Sequence, residues 1–349
     1  MENQTTWSMA DVRNAMNVLG RDYKVAFDNG VTGPIAMDAQ LSSVTQPNAG
    51  IPSLFTTTIF PEITRAIITP MRAAEVYGER QAGDWTTNLV QFPFVESKGT
   101  VSAYHDYSQD GMVEMNANWE TRQPWLYQTW TEWGERETAM MGQGNISLVA
   151  EKNIASISVL NKAQNQIYLF GVQGLKNYGV LNDPDLPPAI QPTTKTGGNT
   201  TWQSTTDPLE IYNDFVKLFG QLNDQMGGNV SMTDRLVVAI PTGLQQCLSY
   251  KNQYGLRIRE MLKEDYPNIR IEALPELGSK LSNGKLSSNM MQMFIEEYEG
   301  MRTVFCGFTY KLRAHRMELY STWQRQKKSQ GAWGAVWRLP IACATMVGI

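Results

Sequence analysis

Leu89-Val90-Gln91-Phe92-Pro93-Phe94, followed after a polar excursion by Leu126-Tyr127-Gln128-Thr129-Trp130-Thr131-Glu132-Trp133, is the stretch on which the fold turns. Val90, Phe92 and Phe94 alternate with Gln91 and Pro93. That is the two-residue period of a strand, and Pro93, which cannot donate to a ladder, points to an edge or a bulge. In the second run Leu126, Gln128, Trp130 and Glu132 fall on one face, and Tyr127, Thr129, Thr131 and Trp133 on the other. Between the runs, residues 96–118 are polar and contain Lys98-Gly99-Thr100 and Ser108-Gln109-Asp110-Gly111. Connections of that length are uncommon inside compact domains and usually serve a function. The expectation is an arm over 85–133, two paired strands with a long tip projecting beyond their own core.

Downstream, residues 146–170 carry the strongest helical pattern. Ile146, Val149, Ala150, Ile154, Ile157, Leu160, Ile167 and Tyr168 recur at three- and four-residue spacing, with Gly171 and Gly174 at the end. At about 1.5 Å per residue such a helix spans nearly 40 Å, a girder more than a packing unit. Asn182 to Thr206, rich in Pro, Thr and Gly, reads as a long loop or hinge. From Asp207 the periods alternate. Asp207-Pro208-Leu209-Glu210 is a helix start, Leu236 to Ile240 a buried strand, Pro241-Thr242 a helix carrying Leu244, Cys247 and Leu248, and Ile269 to Ala273 and Met291 to Tyr298 further strands. This predicts a small α/β domain. Strands return over Arg313–Trp323 and Trp333–Cys343.

Upstream, residues 1–50 read as an arm. Ser8 with Asp11 opens a short helix that ends at Gly20, and 29–48 holds too few large apolar side chains to fold alone. A helical run from Pro61 to Tyr77 is broken by Pro70.

The 349 residues are 42% hydrophobic and 18% charged, as in globular proteins with a real core. The N-terminus shows no basic-then-apolar leader and no stretch reaches the roughly 18 apolar residues of a membrane helix, so no membrane partner is expected. Cys247, Cys306 and Cys343 are far apart, odd in number and without metal spacing; each reads as a buried thiol in a reducing compartment. Charge is unevenly spread. Residues 301–349 hold eight Lys or Arg against Glu318, a local +7, so with −4 for the chain the first 300 residues carry −11. That split suits head-to-tail neighbours or a nearby polyanion, and equally a solvated strand edge kept from aggregating.

Catalytic constellations are not found. His105 and Asp106 are adjacent in an extended chain and face opposite ways, and His315 sits between Arg313 and Arg316. Glu132, Glu135 and Glu137 are explained by the helix dipole without a metal. No phosphate-loop, nucleophile-elbow or zinc motif occurs. Trp119, Trp125, Trp130 and Trp133 crowd into the returning arm with Tyr104 and Tyr107 nearby, but only Arg122 lies among those tryptophans. A stacking platform for single-stranded nucleic acid needs cations between its rings. These six side chains are therefore expected at contacts between subunits, where Trp and Tyr serve as anchors, the alternative being that they pack inside their own chain. No catalytic, cofactor or metal residues are assigned.

Specific stretches carry a family likeness. Met71-Arg72-Ala73-Ala74-Glu75-Val76-Tyr77-Gly78-Glu79-Arg80 with Gly83-Asp84-Trp85, Tyr178-Gly179-Val180-Leu181-Asn182-Asp183-Pro184, and Trp337-Arg338-Leu339-Pro340 resemble the major capsid proteins of tailed bacteriophages with the Hong Kong 97-type fold. The resemblance implies an α+β fold: an N-terminal arm (1–60), the run-in to a peripheral domain (61–84), an extended β-hairpin loop (85–133), a peripheral domain with a spine helix (134–206, helix 146–170), an α/β axial domain (207–310) and return strands (311–349). It further implies subunits tiling an icosahedral shell as hexamers and pentamers around double-stranded DNA, with scaffolding, portal and decoration or cement proteins as further partners, in a virion assembled in the host cytoplasm. Some relatives crosslink through a lysine of the extended loop; no motif assigns that role to Lys98. A nanocompartment shell of the same fold, and an α/β enzyme of unknown substrate, are the alternatives.

Overall fold

The computed structural model describes residues 71–107, 109–143, 146–251, 255–279 and 286–349. These fall within one of the chain's two compact units, Pro61–Ile349, and the N-terminal arm, its helix from Ser8 and the helical run over 61–70 lie outside the described residues. Helix α1 (Ala73–Tyr77) leads through Gly78 into β1 (Glu79–Gln81). Strands β2 (Val90–Gly99) and β3 (Val113–Arg122) pair only with each other, and β4 (Trp125–Gly134) joins another sheet. Helices α2 (Glu135–Gln143) and α3 (Leu148–Phe170) follow. Next come α4 (Pro208–Gln225), β5 (Leu236–Pro241), α5 (Ile258–Asp265), β6 (Arg270–Leu274) and β7 (Met290–Ile295). A tight pair, β8 (Glu297–Tyr298) and β9 (Met301–Arg302), precedes the long strands β10 (Val304–Leu319) and β11 (Trp323–Trp337), then β12 (Cys343–Val347).

One four-stranded sheet runs β1-β10-β11-β4 and the other β12-β7-β5-β6. Their shared core joins Leu160, Ile167 and Leu169 of α3 to Val237, Ala239, Phe294, Cys306 and Trp337. Two glycines permit the closest approaches. A Cβ on Gly307 would collide with the indole of the buried Trp333 on the neighbouring strand, and Gly334, at φ 84°, presses its backbone against the Tyr178 carbonyl.

The expected hairpin differs in its second strand. β2 pairs antiparallel with β3, from Val90↔Arg122 to Gly99↔Val113, so the tip shortens to 100–112. Leu126–Trp133 instead lies against β11, with Trp125↔Ala332 and Trp323↔Gly134. The break is at Gln123-Pro124, where the Gln123 amide turns aside to donate to the Lys176 carbonyl and Pro124 has no amide to continue the ladder. The 85–133 span is thus a 90–122 hairpin plus a strand of the body.

Helix α3 forms where expected, starting at Leu148, but its buried face matches the apolar stripe only in part: Leu160, Ile167 and Tyr168 are buried. Ile154, Val159 and Ala150 are exposed, whereas Ser156, Gln164 and Asn165 are buried. Polar partners on the sheet, and Glu276 just after β6, account for this. Lys328 donates to Asn153 and Ser156 at 2.5 and 2.7 Å, Gln330 to Asn161 at 3.1 Å, and Asn165 to Glu276 at 2.6 Å. Gln164 donates to the Tyr168 hydroxyl at 2.6 Å, so each of these three buried side chains keeps a partner.

Three boundaries also shift. Residues 190–205 are held on the α/β sheet as part of it, not as a hinge closing the preceding domain at 206. The Ile190 amide donates to Thr345, and Trp202 is fully buried in the α/β core. Asp214, fully buried on α4, accepts from Lys195 Nζ at 2.5 Å and from Trp202 Nε1 at 2.8 Å. β10 runs through 310 without interruption. The final strand β12 pairs with β7, Cys343↔Phe294 to Val347↔Met290, and so belongs to the α/β sheet instead of returning to the other. Asp207 does cap α4, accepting from the Leu209 amide at 3.0 Å.

Gly307→Ala is expected to lower stability by about 1–3 kcal/mol, read in urea unfolding, because Trp333 has to move. Asp214→Ala is expected to cost about 3–5 kcal/mol, since it leaves the Lys195 ammonium buried and unpaired. All three thiols are buried, with burial pushing Cys306 well up and Cys343 up to about 12, so the native protein should react with a thiol reagent only after unfolding.

Candidate assembly surface

The β2–β3 hairpin buries only its root. Val90 is buried and Phe92 and Phe94 are half-buried against Phe305 and Trp333, with Phe92 5.9 and 5.1 Å from those two rings. Beyond Val95 almost every side chain is exposed, including Val113 and Met115. Two strands of about 3.3 Å per residue carry this surface some 30 Å outward with no third layer beneath it. An isolated two-stranded ribbon is only marginally stable in water.

Its anchorage is electrostatic. The Arg122 side chain, 3% exposed, ends β3 and meets Asp183 at 2.9 Å and Glu120 still closer, while its guanidinium lies 5.0 Å over the Tyr178 ring. Its Nε also donates to the Ala335 carbonyl of β11. Burial pushes the carboxyls of Asp183 and Glu120 above the ordinary range, against the pull of Arg122. Lys176 and Gln123 exchange backbone and side-chain hydrogen bonds beside it. The turn after α3 is thereby tied to the arm's root.

The six aromatic residues singled out from the sequence do not share one environment. Tyr104 and Tyr107, 92% and 91% exposed, sit on the tip, and Trp119, 59% exposed, lies on β3. Trp125 is exposed at the start of β4 and stacks on Tyr127 at 5.3 Å. Trp133 is a correction: at 7% exposure it is buried in its own chain, on the same side as Tyr127 and Thr131, and is not available to a neighbour. Trp130 points from the opposite, helix-free side of the sheet. There Arg325 lies 4.6 Å and Lys327 5.6 Å from its ring, and Arg325 also covers the stacked pair Tyr320–Trp323.

Sequence order concealed this surface, because the cations over Trp130 come from β11, nearly 200 positions away, through the register Lys327↔Trp130. On the same side Trp85 packs between His315, at 5.3 Å, and Arg313, at 4.4 Å. His315 itself shares a 2.9 Å hydrogen bond with Ser329. His105 stays on the tip, its Nδ1 accepting from the Tyr107 amide. Glu137 pairs with Lys152 at 2.8 Å, and Glu135 and Glu137 occupy the first turn of α2. Among the described residues no group of three His, Cys, Asp or Glu side chains gathers as metal ligands. Among them, too, no helix is long and apolar enough to cross a membrane.

A family model described as Pa193 gp26 major capsid protein matches residues 42–348. No curated protein matches the chain in sequence. Among solved structures, the chain is similar to the capsid of Myoviridae phage XM1, at 12% identity and a TM-score of 0.69, over 86% of this chain and 100% of that one. It is similar to the capsid of a native GTA particle at 9% identity and TM-score 0.59, over 88% and 99% of the two chains. It is also similar to the SrpI encapsulin of Synechococcus elongatus PCC 7942 at 10% and 0.51, over 85% and 94%. At these identities the likeness is one of fold, and the fold is the Hong Kong 97-like capsid fold.

Arg122→Ala should destabilise the protein by about 3–5 kcal/mol in thermal or urea unfolding, because Asp183 is left buried and unpaired. Arg122→Lys should recover little of this, since a single ammonium cannot reach both carboxylates and stack on Tyr178.

Proposed function

The chain belongs to the Pa193 gp26 major capsid protein family, a family of shell subunits, and from that premise we propose how its copies assemble. Hexamers and pentamers of this chain close an icosahedral shell around double-stranded phage DNA, in the host cytoplasm, with scaffolding, portal and decoration proteins as partners. The observation that carries this reading is the hairpin. Val113, Met115 and Trp119 lie exposed on a ribbon that has no core of its own to cover them. Exposed apolar surface on such a projection leaves water only by docking on another molecule. In this reading Tyr104, Tyr107, Trp119, Trp125 and Trp130 are contact residues between copies, and Trp133 supports them from inside. The α3-backed sheet forms the peripheral domain and the β12-β7-β5-β6 sheet the axial domain. The role is structural, with no catalytic step assigned to any residue.

The purified protein, alone or with its scaffolding protein, should sediment as large closed particles and appear as shells by negative-stain electron microscopy. A monomer that persists at high concentration would overturn the reading. Particles from infected cells should contain nuclease-protected genomic DNA, whereas enclosed protein cargo without DNA would favour a nanocompartment shell.

A further inference from the structure

Three arginines converge beside the hairpin root, and among the described residues none of them holds a carboxylate closer than 3.9 Å. The guanidinium carbons of Arg80 and Arg338 lie 5.9 and 5.0 Å from the centre of one ring, that of the buried Phe305. Arg72, Arg122 and Arg325 each hold a carboxylate within 3.0 Å. Among the described residues Arg80 and Arg338 form no ion pair and no side-chain hydrogen bond. Arg302 reaches Glu296 only at 3.9 Å. Glu79 borders the same cleft but is occupied by Lys311 at 2.5 Å and by the Tyr168 hydroxyl at 2.6 Å. Burial, and then the charge of Arg80, lower the Arg338 pKa.

The arginines line a cavity of about 480 Å³. Through Met301 and Arg338 it continues into a larger one of about 790 Å³, with an apolar floor of Phe92, Phe94 and Leu339 and with Glu96, Asn116 and Asn118 on its wall. A ligand that fits both halves presents a carboxylate and, one strand repeat away on the same face, a flexible apolar side chain. Such a pair is exposed on the chain itself. Glu114 is the second residue of β3, and Met112, 68% exposed, lies two residues before it on the same face, where the Thr100 amide continues the ladder by donating to the Met112 carbonyl. A copy cannot fill its own cleft with them. The register Lys98↔Glu114 and Phe94↔Asn118 holds Glu114 four residues, about 13 Å, beyond the Phe94 level on a paired ladder.

We propose that Arg80, Arg302 and Arg338 form a carboxylate socket that receives Glu114 from a second copy of the chain, with Met112 of that copy on the Phe92–Phe94–Leu339 floor. This rests on the reading of the chain as a self-assembling shell subunit. A duplex nucleic acid would satisfy the arginines but has no group for the apolar floor, and Met, unbranched and adaptable, suits it.

Charge exchange tests the socket. R80E/R338E should lower the yield of sedimenting shells at least tenfold with an unchanged melting profile, E114R alone should do the same, and the triple variant should restore assembly. Shells from R80E/R338E at wild-type yield, or a triple variant no better than the double, would overturn the proposal. Should the double variant fail to fold, a photo-crosslinking side chain at Met301 decides, in shells assembled from mixed ¹⁴N- and ¹⁵N-labelled chains. Mixed-isotope crosslinks ending within 110–116 support the socket. Crosslinks found exclusively in same-isotope form, crosslinks to nucleic acid or to another segment, or none reject it. If wild-type chains form no shells at all, it is the assembly reading that fails.

Discussion

The pairing of β10 with β11 bears the rest of the molecule. From Val304↔Trp337 to Leu319↔Gln324 the two strands run together, with β1 on one outer edge and β4 on the other. At the Val304 end both faces are buried, and Gly307 lets the Trp333 ring lie flat against its neighbour's backbone. The opposite end leaves the core and becomes the cationic, aromatic face around Trp130, Arg325 and Trp323. Phe305 and Trp333 also form the floor on which the β2–β3 root rests. A substitution that parts these two strands therefore acts at the core, the arm's root and the exposed face together.

Polar contacts fix the geometry where apolar packing would leave it loose. The α3–sheet interface contains Lys328, Gln330, Asn153, Ser156 and Asn161, matched donor to acceptor, and Asn165 accepts from the Ala73 amide of α1. Buried networks of this kind define one register, because sliding by a residue strands every partner. The same logic holds at Arg122, where the arm's direction is set by a guanidinium held between two carboxylates and a ring. Apolar surface contributes most of the burial here, and polar groups select among the packings it allows.

Much of this was readable from local pattern. The α/β segment, its Asp207 cap, the girder helix and the alternating faces of β4 follow from periodicity alone. The second strand of the arm was readable too, since Val113, Met115, Ala117 and Trp119 alternate with Glu114, Asn116, Asn118 and Glu120. The low apolar content of 96–118 hid it, because a ribbon exposed on both faces does not show the usual buried side. The inward face of α3 was legible at Leu160, Ile167 and Tyr168 but not at Ser156 and Asn165, whose partners Lys328 and Glu276 lie far away in sequence. Nor were the placement of 190–205, which depends on Asp214 meeting Lys195 and Trp202, or the gathering of Arg80 with Arg338, which the parallel pairing of β1 with β10 brings about. A resemblance carried by short motifs supplied the architecture that periodicity could not.

The seat of the hairpin root has an order in time as well as a place. Arg122 reaches the carbonyl of Ala335, 213 positions onward, and Phe92 lies on Trp333. On a ribosome, the ribbon is made early and its support arrives almost last. Until β11 has emerged, a nascent chain can fold neither the clamp nor the floor beneath it, and non-local closures of this span are the slow ones. The ribbon is thus seated on its support only when synthesis is nearly finished, a delay that follows from topology.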